Sequence, residues 1–282
     1  MPDSPHPVSS VRGTDEPSDA WLGSSIGATD PDHIWIAGRD VTELMGEVGL
    51  TALAHLLLVG REPTPGERRV TDAVLVSLAD HGVTPSSLST RLTYTGAPEA
   101  VQGAIAAGLL GAGSVFLGPA GDTALFLAAA VAEHGLVGGA GDDECAGVAS
   151  LLVEQRIAAG ERMPGLGHPT HRAGDPRTAR LYALADEEEV TGPHLRLLRA
   201  IEHAHHAATS RFLPINGAGA GGAALVDVGI PPEVVRGFVL IARTAGLVAH
   251  LAEEMRRPMA RRLWAETEER ASRHYLPHTG PA

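Results

Sequence analysis

The chain has 282 residues, enough for one large domain or two modest ones around a substantial core. Hydrophobic residues make up 44% and charged residues 20%, a globular balance, and the net charge of −12 argues against nucleic acid or an anionic membrane as partner. All 22 basic residues are arginine, which excludes a Schiff-base lysine, a pyridoxal phosphate anchor and a P-loop lysine.

Residues 1–19 combine Pro, Ser and Asp without an apolar stretch, so a disordered tail with no signal peptide is expected there. A short strand is expected over 32–37. Val41 to Val59 has helical spacing and stops at Gly60, which suits the left-handed position after a helix. Thr64-Pro65-Gly66-Glu67 spells a capping box with proline at the first helical position. The helix it opens carries Val70, Ala73, Val74, Ser77 and Leu78 on one face. Further helices are expected at 97–112, 122–134, 144–159, 176–187, 193–209, 216–228 and 231–256. Within them, Gly103 to Gly121 carries no charge and is long enough to cross a bilayer. Its glycines, Pro119 and the lack of flanking arginine fit the centre of a large helical protein better. Cys145, the single cysteine, has no disulfide partner in the chain and suits a reducing, cytoplasmic setting. Alternating strand patterns are nearly absent, so the fold class is all-α.

Two patterns suggest sites and are better explained by packing or solvation. Gly217-Ala-Gly-Ala-Gly-Gly222 has the spacing of a dinucleotide loop. The segment Phe212-Leu-Pro-Ile before it is too short for the strand such a loop needs, and close helix packing accounts for the small residues. His203, His205 and His206, taken with His168 and His171, raise the question of a metal. On a helix His203 and His206 share a face that His205 does not, and no cysteine assists, so no metal is expected.

The most informative stretch is Met163-Pro-Gly-Leu-Gly-His-Pro-Thr-His-Arg-Ala-Gly-Asp-Pro-Arg-Thr-Ala-Arg180. Gly165 and Gly167 let backbone approach a ligand closely, His168 follows at once, and Asp175-Pro176-Arg177 precedes a helix-like run. This layout resembles the Gly-x-Gly-His…Asp-Pro-Arg signature of the citrate synthase superfamily, which includes ATP-citrate lyase and citryl-CoA lyase. Asp80-His81-Gly82, Ala242-Arg243-Thr244-Ala245-Gly246 through His250, and Arg257-Pro258 resemble further elements of that family. So does the opening segment from Ile36 to Thr64, and the likeness covers roughly residues 20 to 265.

The resemblance implies a citrate-synthase-like fold, in which a smaller helical domain closes over the site of a larger one. The large domain would hold 20–149 and 216–270, the small domain 150–215, and 271–282 would be a tail. It implies that His168 is catalytic and that His81, Arg177, Arg243 and Arg257 bind the substrate carboxylates and carbonyl. It also implies that Gly165, Leu166, Gly167 and Arg172 lie against coenzyme A, with Arg257 contributed across a homodimer interface.

Two positions depart from the family pattern. Gly113-Ser-Val-Phe-Leu-Gly118 places Phe116 where condensing members carry a histidine for the enolate, and there it looks more like the Gly-Asp-Arg-Phe-Gly-Gly of ATP-citrate lyase. Against the family's Asn-Val-Asp-Gly, the segment Pro214-Ile-Asn-Gly-Ala-Gly219 is read as placing Ala218 at the catalytic aspartate. Asp122, Asp227 and His171 are the candidate substitutes. Three arginines kept at carboxylate positions point to a retained oxoacid side, because burying them without an anion is costly. The leading expectation is citryl-CoA-lyase-like cleavage of a carboxylated 3-hydroxyacyl-CoA to a 2-oxo acid and an acyl-CoA, with His168 accepting a hydrogen bond or the proton from the hydroxyl. One alternative keeps the fold but performs hydrolysis, dehydration or decarboxylation. Another is a non-catalytic subunit that binds a carboxylate or coenzyme A.

Overall fold

A computed structural model describes residues 23–136, 141–273 and 275; the expected tail at 1–19 and most of that at 271–282 lie outside the described residues. Three short antiparallel strands, β1 (Gly27–Thr29), β2 (Ile34–Ile36) and β3 (Arg39–Asp40), form a small sheet in the order β1-β2-β3. β2 falls within the expected strand. The rest is helical: α1 (Val41–Leu44), α2 (Leu50–Val59), α3 (Pro65–Ala79), α4 (Pro85–Gly96), α5 (Val101–Ala112) and α6 (Gly118–Glu133) come first. After them come α7 (Asp142–Ala158), α8 (Pro176–Glu187), α9 (Pro193–Thr209), α10 (Gly217–Asp227), α11 (Val235–Arg256) and α12 (Ala260–Ser272). The all-α class is therefore the observed one.

Where capping chemistry is explicit in the sequence, helix ends fall at the expected residues. Thr64 accepts from the Glu67 N–H, and Glu67 accepts from the Thr64 N–H, closing the box at the start of α3. Gly60 ends α2 at φ +80°, in the left-handed region. The bounds of α8 and α9 match their expected ranges. Three expectations need correction. The single helix over 41–59 is two, because Gly46 at φ +88° breaks the chain between α1 and α2. The segment at 231–256 opens with a 3-10 turn at Pro232–Val234 before α11 begins. Helix α4, opened by a second box at Thr84 and Ser87 with Pro85 at its first position, was not anticipated, and neither was α12.

The core runs through α3, α6, α7, α9, α10 and α11, with Val70, Val74, Leu127, Leu198, Leu225 and Val239 fully enclosed. At particular crossings glycine lets helix axes approach closely. A Cβ on Gly222 would sit 2.2 Å from the Ala120 carbonyl oxygen, and one on Gly246 would sit 2.1 Å from that of Ala79. Val101–Glu133 and Pro232–Arg256 are long and apolar enough to cross a membrane, yet half of each apolar window is buried against other helices of this fold.

Candidate active site

The carboxyl-terminal end of α3 is the floor of the site. Arg243, on α11, donates from Nε and Nη2 to the Leu78 carbonyl at 3.3 and 3.0 Å, and Arg177, at the start of α8, donates from Nη1 to that of Ser77 at 3.4 Å. A helix end carries partial negative charge, which favours cations there. Gly246 makes this approach possible, since any side chain would collide with the last turn of α3. Arg243 is 6% exposed, and among the described residues no carboxylate comes within ion-pair distance of it. Burial holds its guanidinium below the ordinary value; the Asp80 charge opposes this in part, and Arg177 adds a smaller push in the same direction as burial.

The loop that carries His168 is fixed by a short backbone pairing. Leu166 and Ile215 form an antiparallel bridge, Gly167 N–H donates to Pro214 at 2.7 Å, and Asn216 N–H donates to Gly165 at 2.9 Å. Both Gly165 and Gly167 sit at φ +81°, which accounts for two glycines flanking Leu166. The glycines of α10 serve the same contact. A Cβ on Gly217 would meet Arg177 Nε at 2.5 Å, and one on Gly219 would meet the Gly165 Cα at 2.5 Å. Close packing, not dinucleotide binding, thus explains that glycine run.

His81, His168 and His171 come together, with ring centroids 5.8 Å (81 to 168), 6.4 Å (81 to 171) and 4.5 Å (168 to 171) apart. The Nδ1 atom of His168 accepts two backbone hydrogen bonds, from the N–H groups of Thr170 and His171, each at 3.1 Å. The neutral ring must then carry its proton on Nε2. Burial, followed by the neighbouring His171, holds this imidazole below the ordinary histidine value and favours that neutral form. His168 is therefore a hydrogen-bond donor through Nε2, which corrects the expectation that it accepts the substrate's proton. Asp80, just before His81, accepts from Gly82 N–H and from His250 Nε2, each at 2.8 Å. Buried Arg91 donates to His250 Nδ1 and to Glu254, so this chain of groups fixes the segment that carries His81.

Asp175 is the hub that sequence reading did not single out as functional. It caps α8 through Arg177 N–H, binds Arg177 Nε and Nη2 at 2.9 and 2.7 Å, and accepts from Gly217 N–H at 2.8 Å. Burial alone would raise its carboxyl; the Arg177 guanidinium and the two N–H donors override this and hold it well below the usual range. The signal was present, since an Asp-Pro pair before a helix is a capping pattern. The three arginines therefore differ, and the picture of three buried cations needs correction: Arg243 is buried without an ion pair, Arg177 is paired to Asp175, and Arg257 is exposed after α11. Among the described residues no hydrogen bond or ion pair joins Arg257 to the histidine cluster. Arg172 is also exposed, with Nε on the Pro169 carbonyl at 3.3 Å.

At the start of α10, Ala218 packs against the core, whereas Asn216 places its amide between the Gly167 carbonyl and the Gly219 N–H. Asn216, not Ala218, is the polar side chain at this junction. Phe116 lies half exposed in a π-helical turn, Gly113–Leu117. The ring nitrogens of His81, His168 and His171 lie within 4.8 Å of one another, a spacing that a divalent ion could close on. Arg177 and its partner Asp175 both lie near this cluster. A separate cavity of about 440 Å³ between α7 and α9, lined in part by Asp142, Cys145, Arg199 and His203, shares no residue with this cluster.

Residues 51–264 match the family described as citrate synthase, C-terminal domain. The chain belongs to the citrate synthase family. It is 29% identical over 201 residues to "Putative citrate synthase 2" of Mycobacterium bovis and of Mycobacterium tuberculosis, covering 69% of this chain and 50% of theirs. The chain thus spans about half the length of those relatives. Among solved structures it is similar to citryl-CoA lyase from Hydrogenobacter thermophilus, with a TM-score of 0.78 and 26% identity over 92% of this chain and 95% of that one. It shares its fold with ATP citrate lyase from Methanosaeta concilii, solved in complex with (3S)-citryl-CoA, at a TM-score of 0.67 and 19% identity. That match covers all of this chain and 47% of the other. In fold the chain lies in the citryl-CoA lyase and ATP-citrate lyase branch.

Proposed function

We propose that this protein cleaves a carboxylated 3-hydroxyacyl-CoA of the citryl-CoA type into a 2-oxo acid and an acyl-CoA. The observation that carries the reading is the buried Arg243, without an ion pair among the described residues, with Arg177 lying near both it and the donor His168. A buried cation without a counter-ion is strongly unfavourable and is relieved by a bound carboxylate. In this reading Arg243 and Arg177, through the second N–H of the Nη1 that donates to Ser77, hold the carboxylates. His168 Nε2–H then donates to the oxygen that becomes the oxo-acid carbonyl, and His81 donates from the opposite side. Such preorganised donors are worth most where charge develops as the C–C bond breaks. Gly165, Leu166 and Gly167 offer a backbone surface to coenzyme A, and exposed Arg172 offers a charge for its phosphates. The similarity to a citryl-CoA lyase along nearly the full length of both chains supports cleavage as the direction.

The test is incubation of the purified protein with citryl-CoA while oxaloacetate and acetyl-CoA are followed. The reading expects stoichiometric release of both, and expects His168→Ala to lower turnover by about 10²–10⁴-fold with oxo-acid binding largely kept. Free citrate and coenzyme A as the products would instead show hydrolysis and contradict it. A homodimer in the cytoplasm, with Arg257 completing the partner's pocket, belongs to the same proposal.

A further inference from the structure

Retro-aldol cleavage needs a group to take the hydroxyl proton and a group to return a proton to the α-carbon of the acyl group. His168 does not suit the first task, because both N–H donors on Nδ1 leave its proton on Nε2, which is then a donor. The nearby carboxylates are already committed. Asp175 is filled by Arg177 and Gly217, and Asp80 by Gly82 and His250. Asp227 is spent as the cap of α9, accepting from Gly192, His194 and Leu195 N–H groups and contacting the His194 ring. Asp122 is exposed, just past the first turn of α6.

His171 remains. It is half-buried, its ring centroid lies 4.5 Å from that of His168, and among the described residues its ring makes no hydrogen bond or ion pair with the protein. Its own N–H donates to His168 Nδ1, so its backbone is fixed relative to the donor ring. A partly enclosed imidazole with both nitrogens unclaimed, beside the oxygen-facing donor, has the chemistry of a proton carrier.

Resting on the lyase reading above, we infer that His171 is the general base and acid of the reaction. One ring nitrogen takes the proton of the substrate's tertiary hydroxyl as the C–C bond breaks. The bonding pair passes to the α-carbon of the acyl group, forming the thioester enolate, while the oxo-acid carbonyl forms against His168 Nε2–H. The imidazolium of His171 then returns the same proton to the enolate carbon. One 3-hydroxyacyl-CoA becomes one 2-oxo acid and one acyl-CoA, and no further reactant is consumed.

The experiment compares wild type, His171→Ala and Asp122→Asn with citryl-CoA, with and without added imidazole. We expect His171→Ala to melt as wild type, to bind oxaloacetate within about twofold, and to lose about 10²–10⁴ in kcat, part of which imidazole restores. Asp122→Asn should retain its turnover. An unchanged kcat in His171→Ala overturns the assignment and leaves the lyase reading standing. So does a loss that imidazole does not rescue and that comes with weakened oxaloacetate binding, which would make His171 a support for His168 only. A wild type that cleaves no citryl-CoA removes the lyase reading, and the proton carrier with it.

Discussion

Arg243 makes no ion pair with any carboxylate among the described residues, and that makes it the residue whose replacement separates folding from binding. Arg243→Met keeps much of the side-chain volume and removes the buried cation. The free protein should become more stable, by about 1–2 kcal/mol, while oxaloacetate binding weakens by about 2–5 kcal/mol. Thermal melting with and without the ligand reads both effects; a destabilised variant that still binds would contradict them. Asp175 works in the opposite sense. Its carboxyl is held below the ordinary 3.8, so its stabilisation is complete above that value and is lost as pH falls towards the folded-state value. Asp175→Asn should cost about 2–3 kcal/mol near neutral pH and flatten the acid limb of the stability curve, as measured by urea unfolding at several pH values. His81, His168, Arg177 and Arg243 were legible as a set from their motifs. The direction of the His168 hydrogen bond was not, because backbone N–H groups fix it and they leave no mark in the choice of residues. Asn216 escaped notice for a similar reason, since only the Leu166–Ile215 pairing brings its amide to the loop.

At the scale of elements, the site exists because α10 can lie directly against the His168 loop. Gly219→Ala would place a Cβ 2.5 Å from the Gly165 Cα, backbone against backbone, with no flexible side chain to yield. The substitution should destabilise by about 1–3 kcal/mol and weaken ligand binding, because the loop must move to accommodate it. Calorimetric melting together with oxaloacetate titration checks this; an unaffected loop would show wild-type values in both. The capped start of α3 and both bounds of α8 were readable to the residue. α4 carries the same kind of cap at Thr84-Pro85, but its polar Ser- and Thr-rich sequence hides the apolar periodicity that usually announces a helix. The break after α1 depends on one glycine in the left-handed region, a conformational choice that composition does not declare.

For the whole molecule, the described residues bring four of the five expected ligand-facing side chains to one end of α3 and leave the fifth, Arg257, exposed at the far end of α11. That separation suits the proposed homodimer. Leu110 and Val115, 82% and 75% exposed, offer apolar surface for a second copy to cover. Arg257→Ala should weaken oxo-acid binding without lowering the melting temperature, and a mass measurement should give twice the chain mass. A ligand-competent monomer would contradict the shared pocket. The central claim, that this fold retains an oxo-acid site built on Arg243, is tested most directly by isothermal titration of the full-length protein with oxaloacetate, beside Arg243→Met. Saturable binding by the wild type, lost in a variant that melts no lower, is the predicted result. No heat of binding to the wild type, or equal binding by both proteins, would contradict it.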